Sequence, residues 1–255
     1  MELALLNIGL AVLSRTHSPG LQCTVKNSTK RQKAGDEARR ILSILADRTI
    51  TDDNILTEDN GRPYFSDKGI DFNISHSRDM VAVSLVRGNS IQRTACDIQF
   101  INKAMASNHA RLKKIAQQFF TVAEVEYIFH KDTGEDDIYN TRFFQIWALK
   151  ESYIKLRGLS VFDMASIPSF ICKETINEAS FRFKFYFEQP VQSLLYFYLY
   201  KLGSEENQYM LALALEGDQQ PEPSFQWFSE SVLPISNIVE IKAAPSPIET
   251  VKPNT

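Results

Sequence analysis

The sequence predicts a mixed α+β fold, with helices and antiparallel strands laid out in two successive batches. Three observations point there. Apolar residues recur at helical spacing over 36–45, and a long helical pattern runs over 138–157. Residues 181–187 alternate strictly between apolar and polar or aromatic side chains. Short β-rich runs bounded by turn residues fill 70–100 and 191–215, and no short-period repeat is present.

The apolar run 3–13 opens the chain. Glu2 stands where a secretion signal would carry positive charge, and Ser14-Arg15-Thr16-His17 offers no small-x-small cleavage pattern. A buried first strand is the reading that remains. Residues 15–50 are locally basic, with Arg15, Lys26, Lys30, Arg31, Lys33, Arg39, Arg40 and Arg48 against Asp36, Glu37 and Asp47. Ala38, Ile41, Leu42 and Leu45 place a helix over 36–45, so the bases decorate it as a solvated face or an anion-binding patch. A loop rich in Asp, Asn and Gly, 52–69, leads to strands at 70–75 and 80–86 joined by His76-Ser77-Arg78-Asp79, then to a third strand at 93–100.

A helix is expected over about 104–119. Thr121-x-x-Glu124 has the form of a capping box and opens another. An acidic loop, 132–137, precedes the long helix 138–157, which Gly158 stops. Strands follow at 181–187, 191–200 and 208–215, with Gln189-Pro190 and Gly203-Ser204 as turns. Six of the ten prolines fall after residue 216, so 217–255 is expected to be a surface-wrapping or partly disordered extension.

Composition narrows the function classes. A chain of 255 residues holds one to two domains, and 44% hydrophobic residues suffice for a sizeable core. The net charge of −3 argues against a chain-wide polyanion binder, so no nucleic-acid partner is expected. No window approaches the roughly 18 uninterrupted apolar residues of a membrane span. Cys23, Cys96 and Cys172 are scattered without CxxC, which excludes a disulfide framework or zinc site and suits a reducing, cytoplasmic setting.

Candidate chemistry gathers at three places. Asp97 and Gln99 flank Ile98 on a strand, so they share one face, read as the outward one, and offer two oxygen donors to a hard cation such as Mg²⁺. The same pair also suits an ordinary solvent face. Glu151 and Lys155 are i,i+4 neighbours sharing a helix face with Trp147, either as a surface ion pair or as a metal-binding carboxylate beside a phosphate-neutralising lysine. Ser75-His76-Ser77 follows a strand, where the histidine can donate to a phosphate oxygen or the serines can simply bond the local backbone. GxSxG, Walker A, GxGxxG and HExxH are absent.

Taken in order, Gly61-Arg62-Pro63, Phe72-Asn73-Ile74-Ser75-His76-Ser77, Cys96-Asp97-Ile98-Gln99 and Phe143-x-x-x-Trp147-x-x-Lys150-Glu151-Ser152-x-x-Lys155 closely resemble the phosphopantetheinyl transferases of the long, pseudo-dimeric Sfp type. The resemblance covers roughly residues 60–160, and its specificity lies in the conjunction. It implies two similar α/β halves about a pseudo-twofold axis, residues 1–101 and 102–216, with coenzyme A between them and 217–255 as a Pro-rich tail. It implies transfer of 4′-phosphopantetheine from coenzyme A to a serine of an apo acyl- or peptidyl-carrier protein, releasing adenosine 3′,5′-bisphosphate. Such a holo-[acyl-carrier-protein] synthase needs Mg²⁺, and a monomer is expected. The resemblance does not choose among fatty-acid, polyketide and peptide synthesis.

By the same resemblance Asp97, Gln99 and Glu151 fall at the metal positions, and Ser75 and His76 contact the coenzyme A phosphates. Arg62 reaches the nucleotide end, the basic stretch around 30–40 meets the 3′-phosphate, and Lys155 stabilises the leaving phosphate. Glu151, a metal-bound water or Glu124 accepts the serine proton, although Glu124 also suits its capping box. Two departures stand out: Gln99 replaces the family's glutamate, and Cys96 stands near its glycine. Two carboxylates in place of three predict weaker metal affinity. They also leave room for an alternative, a non-catalytic coenzyme A or carrier-protein binding module on the same scaffold.

Overall fold

The computed structural model describes residues 5–13, 26–88, 90–101, 109–129, 136–172, 183–185, 194–203, 207–229 and 232–243. Its layering follows from strands that are apolar on both faces. In β5 (Met80–Arg87), Val81, Val83 and Leu85 point one way while Met80, Ala82 and Val86 point the other, and all are buried. Such a strand must lie between two layers. β5 sits in a four-stranded sheet of order β11-β1-β5-β4, where β1 (Leu5–Val12) and β4 (Ile70–Ser77) run antiparallel to it and β11 (Pro223–Trp227) parallel to β1. Helix α1 (Lys26–Leu45) covers its outer face with Ala34, Ala38, Ile41 and Leu42.

A second sheet has the order β12-β9-β10-β6, antiparallel throughout. Its strands are β6 (Ile91–Phe100), β9 (Leu195–Gly203), β10 (Gln208–Gly217) and β12 (Ile235–Ala243). One face, carrying Ile98, Tyr198, Leu211 and Leu213, packs on Leu6, Ile8 and Leu10 of the first sheet. The other, carrying Phe197, Leu199, Met210 and Ala212, is covered by α2 (His109–Phe119), α3 (Val122–Phe129) and α4 (Asp136–Arg157). The order of layers is helix, sheet, sheet, helices. Two short pairs, β2 (Leu56–Thr57) with β3 (Pro63–Tyr64) and β7 (Phe170–Cys172) with β8 (Phe183–Phe185), complete the described elements.

The two sheets are also laced edge to edge. Asp71, Asn73, Ser75 and Ser77 of β4 accept hydrogen bonds from the backbone N–H groups of Thr94, Cys96, Ile98 and Phe100 of β6, at 2.7, 3.2, 3.1 and 2.9 Å. The constant offset means that the strands run in the same direction. A row of polar side chains thus supplies the acceptors that another strand would have supplied to the exposed edge of β6. The row depends on period-2 alternation, and it sets Ser75 beside Asp97.

Several expectations change. β4 extends through Ser77, so the turn is only Arg78-Asp79, with Arg78 at φ 58°, and His76 lies on the strand. α1 begins ten residues before the expected start, and α4 begins at Asp136. Residues 102–108, most of the acidic loop 132–137 and most of the strand expected over 181–187 lie outside the described residues. The expected tail supplies β11 and β12, one edge strand to each sheet. Their prolines bracket pairing: Pro223 opens an edge strand, and Pro234 precedes β12. The boundary at 101 does not follow the sheets, because β6 pairs with β10. Among the described residues, no helix is long and apolar enough to cross a membrane.

Candidate active site

Helix α4 packs across β6 and β10. Glu151 and Lys155, one turn apart, meet Asp97 and Gln99 of β6 there. Lys155 Nζ donates to Asp97 Oδ1 at 2.6 Å, to Ser75 Oγ at 2.9 Å and to the Cys96 carbonyl at 3.2 Å. Ser75 Oγ donates in turn to Asp97 Oδ1 at 3.1 Å. Gln99 Nε2 donates to Asp97 Oδ2 at 2.8 Å and to Glu151 Oε2 at 3.0 Å. Ser75, Asp97, Gln99, Glu151 and Lys155 therefore form one continuous network. Asp97 and Gln99 share a face as expected, but that face looks into the molecule: Asp97 is 1% exposed because α4 lies over it.

The electrostatics ask for positive charge. Burial and the neighbouring Asp97 push the Glu151 carboxyl up to about 8, against the opposing pull of Lys155 and the Trp147 indole. Burial works against the Lys155 ammonium, but Asp97, Cys96 and Glu151 outweigh it and raise its pKa. One lysine thus faces two carboxylates. Two carboxylate oxygens from different elements converge on a single amide nitrogen, and the same amide carries an oxygen, a hard donor that is turned away from them here. These residues fit a divalent cation such as Mg²⁺. Among the described residues no three His, Cys, Asp or Glu side chains assemble as a metal site, so the third donor is an amide.

Other predicted site residues stand elsewhere. His76 is exposed and, one residue along a strand, points away from Ser75, so the two do not act together in this network. Arg62 is turned into the scaffold. Its guanidinium binds Asp71 at 2.5 Å, lies 3.8 Å from Glu58 and donates to the Thr94 carbonyl at 3.2 Å, with its side chain 3% exposed. Burial raises the Asp71 carboxyl even against Arg62. The Arg62–Asp71 pair borders a cavity of about 340 Å³ that Tyr64 and Arg93 also line. That cavity lies at the other end of β4, about 13 Å from Ser75 at roughly 3.3 Å per residue.

Glu124 is committed to the scaffold and lies outside this network. It is fully buried, pairs with Lys150, accepts from the Thr121 N–H at 2.8 Å in the expected capping box and accepts from the Phe170 N–H at 2.8 Å. Part of the basic stretch is paired: Arg39 with Asp52, Arg40 with Glu37, and Arg48 with Asp67. Arg31 and Lys33 remain exposed, while Arg15 lies outside the described residues. Sequence reasoning missed Asp71, Asn73 and Ser77 as positioning residues, although their two-residue spacing was the signal.

Residues 93–214 match the family model described as the 4′-phosphopantetheinyl transferase superfamily. The chain is 31% identical over 132 residues to a Haemophilus influenzae protein named "Putative 4'-phosphopantetheinyl transferase", covering 51% of this chain and 52% of that one. It is 36% identical over 115 residues to "4'-phosphopantetheinyl transferase gsp" of Aneurinibacillus migulanus, covering 44% of this chain and 42% of that one. The chain thus spans about half the length of the curated relatives it matches.

Proposed function

We propose that the chain, whose residues 93–214 match the 4′-phosphopantetheinyl transferase superfamily, moves the 4′-phosphopantetheine group of coenzyme A onto a serine of an apo carrier protein, releasing adenosine 3′,5′-bisphosphate in a Mg²⁺-dependent reaction. The observation that carries this reading is the convergence of Asp97, Gln99, Glu151 and Lys155 on one spot. The pseudo-twofold pairing of halves belongs to the same reading. It is supported by two four-stranded sheets packed face to face, one with a helix and the other with three helices on its outer side.

Attack of the serine on the pyrophosphate builds negative charge on the oxygens around the reacting phosphorus. Asp97 and Glu151, with the Gln99 amide, would hold the cation, which when bound supplies positive charge against the pyrophosphate. Asp97 and Ser75 fix the Lys155 ammonium in place and Asp97 helps keep it protonated, so its charge is preorganised for the leaving phosphate. Glu151 faces this network while Glu124 does not, which makes Glu151 the glutamate suited to take the serine's proton.

The test is to incubate the protein with an apo carrier protein, coenzyme A and Mg²⁺ and weigh the carrier by intact-protein mass spectrometry. One added phosphopantetheine group, absent when the acceptor serine is replaced by alanine, is expected. Coenzyme A binding with no adduct would favour the non-catalytic binding module that Gln99 leaves open.

A further inference from the structure

Gln99 occupies a position that no carboxylate could hold in the same way. Both N–H bonds of its side-chain amide are spent, one on Asp97 Oδ2 at 2.8 Å and one on Glu151 Oε2 at 3.0 Å. Asp97 belongs to β6 and Glu151 to α4, so the amide ties strand to helix through two groups that would otherwise repel each other. With both carboxyls ionised the amide turns its nitrogen to them, since an oxygen at that place would oppose two carboxylate oxygens.

A cation between the same carboxylates reverses that preference. It repels N–H hydrogens and attracts a carbonyl oxygen. The terminal torsion of glutamine is broad and nearly twofold, so a half-turn exchanges nitrogen for oxygen with little movement of the remaining side chain. We propose that Gln99 is a positioning residue with two settings: without metal its NH₂ group holds Asp97 and Glu151 together in the place of a cation, and with metal its Oε1 turns to face the ion. The inference rests on the reading of this cluster as the transferase's Mg²⁺ site. It assigns a purpose to the replacement of a carboxylate: the metal-free site stays assembled, at the cost of one anionic ligand.

The test uses the full chain labelled with ¹⁵N in its glutamine side chains, stripped with EDTA and then titrated with MgCl₂ while calorimetry follows Mg²⁺ uptake. The Gln99 amide signals are identified by their loss in Gln99→Glu. In EDTA those protons should exchange with water at least about tenfold more slowly than those of an exposed glutamine. Saturation with Mg²⁺ should remove that protection. Free exchange in EDTA overturns the first setting, and protection that persists in Mg²⁺-saturated protein overturns the second. No Mg²⁺ uptake would overturn the metal reading and the second setting together, while the EDTA measurement still judges the first by itself. Thermal melts give an independent readout. In EDTA, Gln99→Glu should lower the Tm by at least about 2 °C, with Mg²⁺ restoring it. A variant as stable as the parent in EDTA contradicts the bridging role.

Discussion

Lys150 Nζ donates to both carboxylate oxygens of Glu124, at 3.2 and 2.9 Å, and neither side chain has any exposure to solvent. Burial lowers the Lys150 pKa against the pull of Glu124. The pair joins α3 to α4, and the same carboxylate holds the Phe170 N–H at the start of β7. Lys150 and Glu151 are adjacent on α4 yet serve opposite ends: one anchors the helix, the other faces the reaction network.

Removing one member of this pair should therefore act on stability. Lys150→Met leaves a buried carboxylate uncompensated and should cost about 3–5 kcal/mol in denaturant unfolding. The double variant Glu124→Leu with Lys150→Met should recover much of that loss. Glu124→Gln should lower stability while leaving the shape of the pH–rate profile unchanged. If it instead abolished one limb of the profile with stability intact, Glu124 would be a proton acceptor after all.

Glu151 makes the metal-free protein sensitive to pH. Its carboxyl lies at about 8 in the fold against an ordinary value of 4.5, so folding takes up a proton between those limits. Within that window stability falls as pH rises, because the native state binds more protons than the unfolded chain. Unfolding in EDTA should accordingly show a steeper decline from about pH 5 to about pH 8 than the Glu151→Gln variant shows, and Mg²⁺ should reduce the difference. Equal slopes in EDTA would mean that Glu151 is not held away from water as described.

Gly158 ends α4 at φ +64°, and a Cβ built there would come within 2.0 Å of the Asn60 side chain. Gly158→Ala should cost at least the roughly 1–2 kcal/mol of a left-handed alanine. Pairing it with Asn60→Gly should recover only the part due to the clash. Full recovery in the pair would show that the backbone conformation itself carries no cost.

Among the described side chains of α1, Arg31 and Lys33 are exposed bases, while Arg39 and Arg40 are paired. Replacing both with serine should raise the KM for coenzyme A several-fold more than that for its analogue lacking the 3′-phosphate. Equal increases would assign these bases to another partner.

Local signals in the sequence carried well. The capping box at Thr121 and the stop at Gly158 depend on a few adjacent residues, and both are present in the structure. The shared face of Asp97 and Gln99 follows from strand geometry alone. Its direction did not, because β6 is covered on both sides and period-2 alternation cannot tell a helix-covered face from a wet one. His76 was read as part of a turn because serines suit turns, whereas pairing with β5 carries the strand two residues further. Nothing local showed that Arg62 is paired, since its partners Asp71 and the Thr94 carbonyl come from other strands. The strands in the expected tail were hidden by their flanking prolines, which mark strand ends there.

The central claim is that Asp97 and Glu151, bridged by Gln99 and flanked by Lys155, form the transfer site. The most direct measurement is the single-turnover rate of phosphopantetheine transfer to an apo carrier protein by the parent chain, Asp97→Asn and Glu151→Gln, with folding checked by circular dichroism. Each variant should remain folded and lose about 10²–10³-fold in rate, the scale on which one charged transition-state contact acts. A folded variant that transfers within a few-fold of the parent rate would place the chemistry elsewhere on the chain.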